Sequence, residues 1–379
     1  MINDFDVLKL KNLRIFELRD LARQVGVKSP TIFRKEDLID EMLLIISGKN
    51  EPYVNKNNLG RPAKTNHNII TDELFVSKQG AEDEYTKNFE NFAFFVNSPE
   101  ISYNSGENET IESGYLDISK DGYGIVRVNG FLQSTEDVFL HSSALAEFNL
   151  KTGDFIEGKT KTYSKSKPKV MFKVLKVNNN KPKEISRLDF ETLPYNNLTN
   201  PLRINNSKFN FLEGSRNFIF TNNNFICSTT IQSLISSIDK SYKIFVVNFD
   251  AKPEEKSYSE NNLEFVCIYF NKGENEKLSA ANLIIEKAKR DVENGEKVVF
   301  LINLSSSLIR AVNILYGEGN YLNKETVQRI KNLLMCAKYV NEKTSFSLIC
   351  CESLNLESYI KDFILYDLGN IFNSTVYLE

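Results

Sequence analysis

Gly122-Tyr123-Gly124-Ile125-Val126-Arg127-Val128, followed by Asp137-Val138-Phe139-Leu140-His141, are the two stretches that decide how this chain reads. Strand alternation puts Tyr123, Ile125 and Arg127 on one face and Val126 and Val128 on the other. In the second stretch Val138 and Leu140 share a face, opposite Asp137, Phe139 and His141. The purely aliphatic faces suit the inside of a small barrel. The opposite face then collects rings, an arginine, a histidine and a carboxylate. Rings stack on unpaired bases, arginine binds phosphate or stacks, and a carboxylate accepts from an exocyclic amine. The glycines flanking Tyr123 leave room for a base to approach. The competing reading is a pair of half-buried barrel aromatics. Two adjacent strands with this combination favour a nucleic-acid face.

The same texture extends over residues 113–177. Short alternating runs are punctuated by Gly114, Gly122, Gly124, Gly130, Gly153 and Gly158, which predicts a small closed barrel. Lys159, Lys161, Lys165, Lys167 and Lys169 form a basic hairpin region beside it. Ordinary surface and tracking of an RNA backbone are both open readings for these lysines.

Upstream, Leu10, Leu13, Leu18, Leu21 and Val25 recur at helical steps. Lys28-Ser29-Pro30 breaks the pattern, and Leu38, Ile39, Met42, Leu43 and Ile46 mark a second helix, capped by Ser29 or Thr31. Residues 48–112 are rich in Asn, Lys and acids and read as a linker or insertion. Gly60-Arg61-Pro62 within it has the form of a minor-groove hook, and a solvated linker is the favoured alternative. Phe89, Phe92, Phe94 and Phe95 are too apolar for pure disorder.

Downstream, strand patterns at Phe218–Phe220, Lys243–Phe249, Phe265–Tyr269, Lys297–Leu304 and Ser345–Cys350 alternate with helical ones. The helices fall near Ser228–Ile238, Ser279–Glu293 and Lys324–Asn341. Such alternation predicts a mostly parallel sheet covered on both faces.

Composition adds exclusions. Lys+Arg is 47 against Asp+Glu 50, a formal net charge of -3, which argues against coating nucleic acid by bulk charge. No apolar run reaches transmembrane length and no signal-peptide pattern opens the chain, so a cytoplasmic protein is expected. Cys227, Cys267, Cys336, Cys350 and Cys351 lie mostly in apolar stretches and read as free buried thiols. With only His67 and His141 available, no zinc site and no nucleophile–His–acid arrangement is expected.

Gly-Tyr-Gly-Ile-Val-Arg and Val-Phe-Leu-His-Ser-Ser-Ala-Leu resemble the two RNA-binding signatures of cold-shock domains. Residues 113–177, including Phe148-Asn149-Leu150-Lys151-Thr152-Gly153-Asp154, more closely resemble the cold-shock-like domain of the bacterial transcription termination factor Rho family. Arg34-Lys35-Glu36-Asp37-Leu38-Ile39 resembles part of that family's opening helical subdomain. The resemblance implies a primary site for single-stranded, pyrimidine-rich RNA, with Tyr123, Arg127, Asp137 and Phe139 at base-contacting positions. His141 is added from the wider cold-shock pattern. Ile125 stands where a second aromatic is usual, and Met171 where a tyrosine is common. Fewer stacking platforms imply weaker or less selective binding.

The resemblance continues into the RecA-type motor of the family. Ile285-Glu286-Lys287-Ala288-Lys289-Arg290 matches one of its helices, Asp250-Ala251-Lys252-Pro253-Glu254-Glu255 its Asp-Glu-Arg-Pro-Glu-Glu stretch, and Leu301-Ile302-Asn303 its Walker B strand. The reactive positions differ. Thr221-Asn222-Asn223-Asn224-Phe225-Ile226-Cys227-Ser228 has no glycine, and Cys227 stands for the phosphate-binding lysine. Ala251 replaces the catalytic glutamate and Asn303 the Walker B aspartate. The chain ends before the region that supplies the family's arginine finger. Ser228, Asp250 and Arg310 read as retained scaffold.

The expectation is therefore a multidomain α+β chain. It comprises a small N-terminal helical subdomain (1–48), a partly disordered linker or insertion (49–112), an OB-fold/cold-shock β-barrel (113–180) and a degenerate, truncated RecA-like α/β domain (181–379). Its expected function is RNA binding in termination or its modulation. ATP and magnesium, the family's cofactors, are expected to be lost, with no catalytic or metal residues. RNA polymerase or an intact Rho are the protein partners implied, in a homo- or hetero-oligomer, with no membrane. Two alternatives are a non-catalytic subunit that modulates an intact Rho hexamer and an RNA-dependent ATPase with an atypical site.

Overall fold

The structure is a computed structural model and describes residues 109–162, 168–182, 188–317 and 322–378, with positions 18, 19, 22, 25, 27, 28, 30 and 33–46. It divides into two compact units, residues 1–79 and 80–379. In the first, helix α1 (Lys35–Ile46) opens with Glu36 and Asp37, charges that suit a helix N-terminus. Leu38, Ile39, Met42 and Ile45 bury with Leu18, Ala22 and Val27. The side chains of Leu43 and Ile46, the caps Ser29 and Thr31, and the Gly60-Arg61-Pro62 and Phe89–Phe95 readings lie outside the described residues.

Among the described residues of the second unit, five strands come first, β1 (Glu109–Ile118), β2 (Gly124–Arg127), β3 (Val138–Leu140), β4 (Phe155–Lys161) and β5 (Lys169–Val177). They close into a barrel in the order β1-β2-β3-β5-β4. A short helix, α2 (Ser142–Glu147), links β3 to β4. β3 and β5 pair in parallel and the other neighbours are antiparallel. Leu116, Val126, Val138, Leu140, Ile156, Met171, Val174 and Val177 fill the interior, so alternation sorted the aliphatic face inward as expected. Gly114 is required where β1 meets β2, because a Cβ there would lie 2.1 Å from the Arg127 carbonyl oxygen.

The remainder is an α/β layer. Its strands are β6 (Arg216–Thr221), β7 (Lys243–Ala251), β8 (Tyr258–Glu260), β9 (Leu263–Tyr269), β10 (Lys297–Asn303), β11 (Lys338–Asn341), β12 (Thr344–Ser353) and β13 (Ser374–Leu378). They run in the order β13-β6-β12-β10-β7-β9-β8, with β11 on β12. Only β8 and β11 pair antiparallel. Helices α3 (Asn224–Ser237), α4 (Glu274–Glu293), α5 (Ser305–Tyr316) and α6 (Lys324–Leu334) supply the crossovers and cover. A short helix, α7 (Ser358–Asp362), leads through a π-helical turn toward β13.

Successive strand residues split between two cores. Phe218, Phe220, Phe245, Phe300 and Phe346 join α4, α5 and α6, whereas Ile219, Val246, Leu301 and Ile349 join α3. All five cysteines are buried and free, as their apolar settings predicted. The helix expected over 324–341 stops at Leu334. Lys338–Asn341 instead pairs with β12, where Tyr339 and Val340 suit a buried strand.

The barrel rests on α4. Gly153, at φ +89°, brings its backbone so near the helix that a Cβ would lie 2.5 Å from the carbonyl carbon of Glu286. Tyr115 stacks on Phe131 with ring centroids 4.1 Å apart, and both pack on the core shared with α4. Lys151 reaches Glu293 near the helix end at 3.5 Å.

Candidate nucleic-acid interface and the edge of the sheet

Tyr123 and Phe139 stack on one another, with centroids 5.4 Å apart and planes inclined by 29°. Neither belongs to the interior cluster of the barrel. Alternation predicts an open face here, and the structure corrects that: Tyr123 is 4% exposed and Phe139 1%. The period of a strand fixes the side on which a residue stands, not what lies over it. Ile125, opposite Phe139 in the ladder, is buried as well.

Arg127 and Asp137 depart further from the expected open contacts. Arg127 is 2% exposed and Asp137 1%. The guanidinium donates through Nη1 to Asp137 at 3.1 Å and through Nη2 to Asp117 at 2.5 Å. Asp137 also accepts from the backbone N–H of Val128 at 3.2 Å and of Ser134 at 3.1 Å. Both its oxygens are thus engaged within the protein. Asp117 and Ser279, absent from the residues expected at this face, complete the group. Ser279 on α4 lies 3.4 Å from Arg127 Nη2 and 3.3 Å from Asp117 Oδ2. Asp117 was within reach of sequence reasoning, since β1 carries an acid on the strand beside Arg127. Ser279, far along the chain, was not.

His141 stands at the end of β3, half-buried, and caps α2. Its Nδ1 accepts from the Ser143 N–H at 3.0 Å. Beside it a groove of about 1010 Å³ opens between α2 and β5, with Phe148, Phe172 and Lys173 among its walls. Of the basic region, Lys159 pairs with Glu109 at 3.6 Å and Lys169 with Glu112 at 2.7 Å. Lys165 and Lys167 lie outside the described residues.

The C-terminal edge of the parallel sheet is where ligands bind in open α/β folds. Here several side chains along the edge bond one another. β6 passes into α3 through Asn222 and Asn223 alone. The Asn223 side chain accepts from the Ile226 N–H at 3.0 Å, occupying a donor that a phosphate would use. Cys227 is fully buried, 3.0 Å from Thr221 Oγ1, and directs no cation toward the edge. Asn303 Nδ2 donates to Asn248 Oδ1 at 2.6 Å. Asp250 sits at φ +50° and meets both Ser307 and Lys277, the lysine at 3.5 Å. Ala251 is buried. At the end of β12, buried Glu352 accepts from the Ser306 N–H at 2.5 Å and so caps α5. Burial holds its carboxyl above the usual carboxylate range, opposed by backbone hydrogen bonds from Ser306 and Ser353.

Comparison with known proteins gives this barrel its class. Residues 112–183 match the Rho termination factor, RNA-binding domain. The chain is 27% identical over 304 residues to transcription termination factor Rho of Haemophilus influenzae, covering 73% of this chain and 72% of that one. It is 25% identical over 301 residues to Rho of Borreliella burgdorferi, covering 72% of this chain and 58% of the relative. The Escherichia coli K12 factor is 25% identical over 303 residues. The chain is a divergent Rho-like protein. Among solved structures, a type III secretion system ATPase aligns with TM-score 0.41 and 16% identity, over 49% of this chain and 58% of that one.

Proposed function

We propose that this chain binds single-stranded RNA on the outer side of the barrel and acts in transcription termination, or in its modulation, without an ATP cycle of its own. On this reading the barrel is an OB-fold of cold-shock type and the sheet a RecA-like layer. The observation that carries the reading is the stacked Tyr123–Phe139 pair, on a closed barrel that matches the Rho RNA-binding domain. Stacking of bases on rings is sequence-tolerant and is worth about 1–3 kcal/mol per base. Because both rings are buried, binding requires that the face open, which lowers the apparent affinity by the fraction open.

Loss of hydrolysis is supported by the sheet edge. Asn223 caps the helix where phosphate would sit, Cys227 stands for the lysine, and Ala251 and Asn303 stand for the acids. Each missing group removes orders of magnitude in rate. A second reading, a subunit that modulates an intact Rho, is favoured by the fully packed α/β layer kept around that edge.

Filter binding with short pyrimidine-rich RNA tests the proposal. Wild-type chain is expected to bind, and Tyr123→Ala to weaken binding roughly 5- to 100-fold, the loss of one stack. Phe139→Leu removes the ring while leaving an apolar side chain in the face and is expected to weaken binding similarly. No binding, or binding indifferent to both changes, refutes the site.

A further inference from the structure

We infer that Arg127 is a positioning residue, a latch that fastens the barrel to α4 through Asp117, Asp137 and Ser279, and that the RNA face therefore stacks bases without reading their edges. The inference rests on the RNA-binding reading above and adds to it how selective that face is.

Arginine recognises a base edge or a phosphate by presenting its planar fork of donors to two acceptors. In this chain the two ends of the fork are already used. Nη1 meets Asp137 and Nη2 meets Asp117, with side chains 3%, 0% and 22% exposed for Arg127, Asp137 and Asp117. The carboxylate best placed to accept from an exocyclic amine, Asp137, takes two backbone N–H donors as well. One of those donors, Ser134, belongs to the turn before β3, so the same carboxylate fixes how the Phe139 strand begins.

The latch also reaches across the unit. Ser279, half-buried in the second turn of α4, touches both Arg127 and Asp117. Two residues earlier on that helix, Lys277 holds Asp250 at the sheet edge. Breaking the buried contacts of Nη1 and Nη2 to free one of those donors for a base is costly, because the carboxylates left behind stay buried and lose their partner. Discrimination between bases then has no hydrogen-bonding source at Arg127 or Asp137.

The test uses the full chain and fluorescence anisotropy with short labelled rC, rU and rA oligomers over a series of salt concentrations. The affinities are expected to agree within about threefold, since stacking tolerates sequence. Arg127→Gln is expected to leave the dependence of log affinity on log salt unchanged. A preference of about tenfold or more for one base that Arg127→Gln abolishes would overturn the inference. A fall of about one in the salt slope would overturn it too, because it marks a lost phosphate contact.

Arg127→Gln leaves two buried carboxylates and can fail to fold, so Asp117→Asn and Ser279→Ala provide the second readout. In hydrogen exchange both are expected to loosen β1–β2 and the first turns of α4 together. Loosening confined to one of the two elements would contradict the latch. If wild-type chain binds none of the oligomers, the RNA-binding reading fails, and the exchange result still decides the latch.

Discussion

Single residues here do work that their types alone do not announce. Arg127 and Asp137 have the chemistry of base readers and are spent on each other. Cys227, just inside the start of α3, is a buried thiol beside Thr221. Glu352 is a helix cap whose burial raises its carboxyl above the ordinary value near 4.5. A folded-state value above the unfolded one means that the native protein binds this proton more tightly. Its contribution to stability is therefore full below the unfolded value and is lost as pH rises from there through the folded value. Urea melts across that window are expected to show this fall in the wild type and a flatter profile in Glu352→Gln. A steeper profile in the variant would show that the carboxyl is not held protonated.

At the scale of elements, α4 organises the second unit. Its first turns meet the barrel face through Ser279 and the sheet edge through Lys277, and its middle accepts the barrel loop at Gly153. Gly153→Ala combines a positive φ with a Cβ placed against helix backbone, so a loss of about 1–3 kcal/mol is expected in denaturant unfolding. An unchanged midpoint would mean that barrel and helix are not packed as described. The elements themselves were largely legible. Alternation around Val126, Val138 and Leu140 gave the barrel interior, and the repeating strand–helix texture gave the parallel sheet. Residues 335–341 were misread because Leu333, Leu334, Ala337 and Val340 continue an apolar pattern. Pairing of Lys338–Asn341 with β12 then overrides that local periodicity.

At the scale of the molecule, what the sequence could not supply was cover. Tyr123 and Phe139 stand on the side that period two assigns them, yet burial depends on contacts made over the finished fold. The same holds for Ser279, which joins Arg127 across 152 positions of chain. At the sheet edge the residue types themselves, Asn222, Asn223, Cys227 and Asn303, are visible in the sequence one by one. Only the structure adds that Asn223 caps α3 there and that Asn248 meets Asn303. RNA binding by the barrel and the lack of an ATP cycle together make the central claim. Titration of a labelled pyrimidine RNA with the full chain, in the absence and presence of saturating ATP and magnesium, addresses both at once. One saturable binding curve that nucleotide does not move is the predicted result; no binding, or a curve that shifts with ATP, would contradict the account.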